Sequence, residues 1–317
     1  MMIFCRKIII NKPAILRTEG PLLLACNHPN SFLDGVILDI LFAGPVWALA
    51  RGDVFNKPLY VKLLTAIKLL PIYRESEGTK NLGENYKTFD ACMKIFKANG
   101  IVQIFSEGRC LNEWHLRSLK KGTARLVIHS WENNIPLKMI PVGINYSSFR
   151  RFGKNIFVNF GSVISREDIT TASTDGRRYQ EFNDRLETEL KSLVFEIESN
   201  DIQKQKELLL TPVTYWQKMF FGIPAAFGFF IHAPLYIPLR RFVWKRCNHN
   251  DHFDSVLAAL LLLLYPVYLL LLTLVLFLIF KTGYVLLLLL ALPFTAWSYV
   301  LLKGQLDEET QFENEII

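Results

Sequence analysis

The chain has 317 residues, enough for one large domain or for a domain joined to a membrane portion. Half of it is hydrophobic (51%), and a mean hydropathy of +0.22 argues against an ordinary soluble enzyme. A formal charge of +7 suits work against an anionic surface, which leaves nucleic acid and membrane as partner classes. The apolar excess lies mostly between residues 219 and 302, while residues 1–210 have a globular composition, so membrane is favoured and nucleic acid is not expected. Five scattered cysteines without C-x-x-C spacing argue against a disulfide framework or a zinc site and fit a reducing compartment. Arg6, Lys7 and Lys12 interrupt the first short apolar run, and no small-residue cleavage site follows, so no signal peptide is expected.

In chain order, residues 7–16 read as a strand with a Pro-marked turn, and residues 21–26 as a buried strand. The stretch NHPNSFLD (27–34) follows directly. Ser31 is placed to cap the next helix, and Asp34, three residues on, to complete a capping box. His28 then hangs in the strand-to-helix turn. Two readings stand at this point: Asp34 only caps the helix, or it also orients the His28 imidazole.

Phe32, Val36, Ile37, Ile40 and Leu41 give the helix its period, and Gly44-Pro45 stops it. A short strand over 46–50 leads to Pro58, which is placed to start a helix running to about residue 70. That helix carries Lys57, Lys62 and Lys68 beside leucines; it is either a core helix with solvated lysines or one that touches lipid. Residues 71–74 are extended. A helix over 79–98, a strand over 101–105, the turn SEGRCLN, a helix over 121–133, strands over 137–144 and 156–163, and an amphipathic helix from about 176 complete this part. Such alternation predicts an α/β domain with a largely parallel central sheet flanked by helices. His28, Arg74 and Glu107 each follow a strand, where sites form in open α/β sheets.

Residues 255–280 and 283–302 are apolar runs long enough to span a bilayer, and so few residues separate them that they predict a transmembrane helical hairpin. Arg240, Arg241, Lys245 and Arg246 place the preceding loop in the cytoplasm. The Gly- and Pro-rich stretch 219–239 is expected to be interfacial or re-entrant. The predicted organisation is therefore a catalytic domain over 1–210, an interfacial or re-entrant segment with its basic loop over 211–254, the hairpin over 255–303 and an acidic tail over 304–317. His249 and His252 share a polar loop but lack a third fixed ligand, so no metal is expected there.

A histidine oriented by a carboxylate acts as a general base toward a hydroxyl, typically worth about 10²- to 10⁴-fold in rate. Neighbouring arginines suit a phosphate, whose oxygens match the guanidinium fork. No G-x-x-x-x-G-K-[ST] loop is present, which weakens a nucleotide-driven reaction. Acyl or phosphoryl transfer to a phosphorylated alcohol at a membrane fits these groups.

The chain resembles the glycerolipid acyltransferases, a family that includes glycerol-3-phosphate and 1-acylglycerol-3-phosphate (lysophosphatidate) acyltransferases. NHPNSFLD (27–34), LPIYR (70–74), FSEGRCLN (105–112) and IPVGINY (140–146) are similar to that family's successive blocks, in the same order. The resemblance implies the acyltransferase fold, with His28 as base and Asp34 as its orienting partner. It further implies that Arg74 and Arg109 bind the acceptor phosphate, that the Glu107-Gly108 turn shapes the acceptor site, and that Pro141 lies near the acyl chain. Acyl-coenzyme A or acyl carrier protein would supply the acyl thioester, with no metal or redox cofactor and no covalent acyl-enzyme. The catalytic domain would face the cytoplasm.

Three features depart from the commonest pattern. Five residues rather than four separate His28 from Asp34, a spacing shared with yeast-like glycerol-phosphate acyltransferases. Arg109 follows Glu107 by two residues rather than three, and Cys110 stands at the usual arginine position. The apolar segments follow the catalytic blocks instead of preceding them. Alternatives are an acyltransferase for another lysolipid, a thioester or lipid hydrolase built on Cys110 with His115, and a non-catalytic membrane scaffold.

Overall fold

The computed structural model describes residues 4–73, 83–169 and 174–306. Its strands are β1 (Cys5–Ile10), β2 (Leu22–Cys26), β3 (Val46–Arg51), β4 (Leu69–Ile72), β5 (Ile101–Phe105), β6 (Lys138–Tyr146) and β7 (Lys154–Phe160). They form one sheet in the order β1-β7-β6-β2-β5-β3-β4. Every pairing is parallel except that of β6 with β7. β2 lies at the centre and is buried along its whole length, which is why it reads as an unbroken apolar run rather than an alternation. Leu22, Leu24 and Cys26 face one half of the core and Leu23 and Ala25 the other.

Helices α1 (Phe32–Leu41), α2 (Pro58–Ala66), α3 (Glu84–Lys97), α4 (Lys121–Glu132), α5 (Asp175–Leu193) and α6 (Ile202–Leu209) accompany the sheet. Ile37, Leu38 and Leu209 fill one side, while Phe96, Val127, Trp131, Phe182 and Leu190 fill the other. The expected parallel-sheet α/β domain is therefore present, with three local differences. The helix expected over 58–70 stops at Ala66, because Lys68 turns the backbone to φ 64° and residues 69–72 pair with β3. None of the α2 side chains is buried, so the core-helix reading of that segment fails. Strand β1 ends at Ile10, and Pro13 opens a 3-10 turn, Pro13–Arg17, where a longer strand was expected.

The C-terminal part comprises α7 (Tyr215–Cys247), α8 (Phe253–Phe280) and α9 (Leu288–Leu302), the last preceded by a 3-10 turn, Gly283–Leu287. By length and composition, three helices here are apolar enough to cross a membrane. α7 crosses α9 closely at Gly228, where a Cβ would lie 2.2 Å from the Thr295 carbonyl oxygen. It meets α8 through His232 Nε2 and the Tyr265 hydroxyl, 3.1 Å apart. Lys281, at φ 49°, ends α8 and starts the reversal into α9.

Both flanks of α7 are fastened to the same domain. Ahead of it, Thr211 N–H donates to Gln305 Oε1 (2.8 Å), and Asn155 Nδ2 at the start of β7 donates to the same oxygen (2.6 Å). At and beyond its end, Val243 and Phe253 pack with Phe4 and Phe152, and Lys154 pairs with Asp254. The far end of α9 returns to the same place, where Arg6 Nη1 donates to Lys303 O (3.1 Å) and Arg151 Nη1 to Leu306 O (2.7 Å). Most of the expected acidic tail, from residue 307 on, lies outside the described residues.

Candidate active site

The carboxyl ends of β2, β5 and β6 converge on one cluster. β2 delivers Asn27 and His28, β5 delivers Ser106 and Glu107, and β6 ends on Tyr146. Asn27 locks the crossover into the sheet, donating from Nδ2 to Ile144 O (3.0 Å) and accepting from Ile144 N–H (2.7 Å). His28 projects from that fixed point. Its ring stacks on Phe105, with centroids 3.9 Å apart, and its side chain keeps 14% of its surface open.

His28 Nδ1 lies 2.8 Å from Asp34 Oδ2. The same oxygen accepts the Asn30 N–H (2.8 Å), and the Tyr146 hydroxyl donates to Asp34 Oδ1 (2.6 Å). Burial, and then the Asp34 charge, push the Tyr146 hydroxyl well above its ordinary pKa, so it remains a donor. A carboxylate has no proton to offer, so Nδ1 carries the ring hydrogen and Nε2 is left with its lone pair. This arrangement suits a base poised toward a hydroxyl.

The expected capping box does not form. Ser31 occupies the N-cap position but makes no side-chain cap bond: its hydroxyl lies 2.8 Å from His252 Nδ1 and its N–H donates to Cys110 Sγ, while the Asp34 oxygens are taken by His28, Asn30 and Tyr146. Asp34 therefore orients His28 and braces the loop between them.

Glu107 is 5% exposed and bridges two backbone positions: Oε2 accepts the His28 N–H (3.3 Å) and Oε1 the Arg117 N–H (3.2 Å). Burial pushes its carboxyl up to about 7 against those two hydrogen bonds. Gly108 follows at φ +69°, and an added Cβ would crowd Lys120 Cγ at 3.1 Å. Arg109 is exposed and has no hydrogen bond or ion pair among the described residues. Arg74 lies outside the described residues. Pro141 is buried in β6 opposite Ala25 of β2.

The cysteine alternative has no geometry to stand on. Cys110 is buried, and its Sγ accepts the Ser31 N–H (2.9 Å). Burial and the nearby Asp34 push its thiol well above the ordinary cysteine range, the reverse of an activated nucleophile. His115 pairs instead with Glu196, 2.9 Å from Nδ1 to Oε2. Among the described residues no His/Cys/Asp/Glu group has the form of a metal site.

Sequence reading missed several members of the cluster. Tyr146 closes the fourth block, and its place at a strand end was the available signal. Asn30 lay inside the first block but was not singled out. Asp254, Ser255 and Lys154 are more than a hundred residues away in sequence, where no spacing rule reaches.

Residues 7–145 match the family model described as Acyltransferase. Among solved structures, the chain is similar to the 1-acyl-sn-glycerophosphate (LPA) acyltransferase PlsC from Thermotoga maritima, with a TM-score of 0.39 and 13% identity, over 61% of this chain and 73% of that one. No curated protein matches the chain.

Proposed function

We propose that this protein is a membrane-bound O-acyltransferase that moves a fatty acyl group from acyl-coenzyme A or acyl carrier protein to a hydroxyl of glycerol-3-phosphate or lysophosphatidate, in phospholipid biosynthesis. The observation that carries this reading is the 2.8 Å pairing of His28 Nδ1 with a twice-braced Asp34, inside the segment that matches the acyltransferase family. His28 Nε2 takes the proton of the acceptor hydroxyl as its oxygen attacks the thioester carbonyl. The carbon–sulfur bond breaks, and the thiolate leaves with the proton that His28 releases. Asp34 offsets the imidazolium charge that develops between these steps. Arg74 and Arg109 serve the acceptor phosphate, and Glu107 with Gly108 holds the turn that shapes its site. No metal or redox cofactor takes part.

α8 and α9 form the transmembrane hairpin, with both outer ends on the cytoplasmic side beside the catalytic domain. α7 enters and leaves on that same side, a reading supported by the fastening of both its flanks to one domain. Its exposed stripe of Trp216, Phe220, Ile223, Phe227 and Phe230 recurs at helical spacing and lies in lipid. α2, with Leu59 and Leu63 exposed beside Lys57 and Lys62, adds a second contact with an anionic leaflet.

The test is acyl transfer by purified protein, offered glycerol-3-phosphate and lysophosphatidate in turn with each thioester donor. Transfer to either acceptor is expected. Thioester hydrolysis without transfer would favour a hydrolase instead.

A further inference from the structure

The first turn of α8 and the loop ahead of it lie directly on the catalytic loop. Asn30, whose backbone N–H braces Asp34, is itself held by this C-terminal segment through its side-chain amide and its carbonyl. Its Nδ2 donates to Asp254 Oδ2 (2.7 Å), and its carbonyl accepts the Ser255 hydroxyl (3.0 Å). Its Oδ1 is buried without a hydrogen-bond partner among the described residues, so the Asn30 side chain is anchored through Asp254. Ser255 Oγ also accepts the Leu33 N–H (3.2 Å), and Asp251 Oδ1 accepts the Asn112 N–H (3.2 Å) from the neighbouring Glu-Gly turn.

Ser31 between them adopts φ 51°, ψ −133°, a conformation that L residues rarely take and that persists only where the surroundings impose it. His252 Nδ1 lies 2.8 Å from its hydroxyl oxygen. Asp254 is 4% exposed and pairs with the equally buried Lys154, whose ammonium also sits 5.8 Å from the centre of the Tyr146 ring. One buried network thus runs from the membrane helix through Asn30 and Tyr146 to both oxygens of Asp34. A pair of buried charges costs desolvation, and removing one partner leaves the other uncompensated.

We propose that Asp254 is a positioning residue for the His28–Asp34 pair, so that the first turn of a membrane helix completes the catalytic site. It touches no reacting atom; it acts by holding Asn30, whose amide fixes the Asp34 carboxylate. The inference rests on the proposed acyltransferase reading, in which His28 is the base. It also gives membrane attachment a second consequence: the catalytic loop holds its working shape only while α8 is seated on the domain.

The test compares Asp254→Asn, Asn30→Asp and the double variant Asn30→Asp/Asp254→Asn in the full chain, beside His28→Ala. With enzyme counted as folded protein by gel filtration, Asp254→Asn is expected to lower kcat at least tenfold while both KM values stay within about twofold. Asn30→Asp sets two carboxylates against each other and is expected to do the same. The double variant restores one carboxylate and one amide in contact, still beside Lys154, and should recover most of the lost kcat. Wild-type kcat in folded Asp254→Asn overturns the proposal, as does an equal loss in the double variant. If Asp254→Asn fails to fold, Ser255→Ala carries the test, with a several-fold loss of kcat supporting the proposal and wild-type kcat overturning it. Activity surviving in His28→Ala would mean instead that the underlying acyltransferase mechanism is wrong.

Discussion

The Tyr146 hydroxyl donates to Asp34 Oδ1 at 2.6 Å, joining the end of β6 to the first turn of α1 across the centre of the sheet. A hydrogen bond to a charged group contributes about 1.5–3 kcal/mol, so Tyr146→Phe is expected to lower kcat by roughly 10- to 100-fold with acceptor KM unchanged. Steady-state kinetics on the purified variant checks this. Unchanged kcat would mean that His28 and Asn30 suffice to hold Asp34.

Cys110→Ala should keep most of the transfer activity, because its thiol is buried, pushed up in pKa and serves only as an acceptor for the Ser31 N–H. Complete loss, with the protein still folded, would reopen the cysteine-nucleophile reading.

Glu107 gives a pH dependence to stability. Its carboxyl titrates at about 7 when folded against 4.5 in its ordinary state, because burial outweighs the two backbone hydrogen bonds. Between those values the unfolded chain has released this proton while the folded chain retains it, so stability falls as pH rises through the window and levels off above it. Thermal unfolding in detergent at pH 4.5 to 7.5 should show this slope, and Glu107→Gln should flatten it. An identical slope in the variant would mean another group is responsible.

The proposed membrane arrangement is open to labelling. In a Cys247→Ser background, single cysteines at Lys218 and Lys245 should react from one side of the membrane and a cysteine at Thr282 from the other. Reaction of positions 218 and 245 from opposite sides would mean that α7 spans the bilayer.

Much of the domain was legible because its strands are either buried throughout, as in β2, or bounded by Gly, Pro and charged turns. The pairing of His28 with Asp34 was legible for a similar reason: both lie in one strand-to-helix turn. The cap at Ser31 was misread because local spacing cannot show that His252 and Cys110, far along the chain, engage the Ser31 hydroxyl and N–H while Tyr146 claims an Asp34 oxygen. The end of α2 was misread because its leucines continue past the break at Lys68, where pairing of residues 69–72 with β3 overrides helical period. Asp254 was invisible for the strongest reason. In sequence it opens an apolar helix, and only folding sets its carboxylate against Asn30 and Lys154.

The central claim is that His28 is the base that activates the acceptor hydroxyl. Its most direct measurement is acyl transfer by His28→Ala beside the wild type, with glycerol-3-phosphate and lysophosphatidate as acceptors and acyl-coenzyme A as donor. The account predicts that transfer falls by at least 10²-fold, the lower bound of what general-base catalysis contributes. Transfer persisting near the wild-type rate would contradict it.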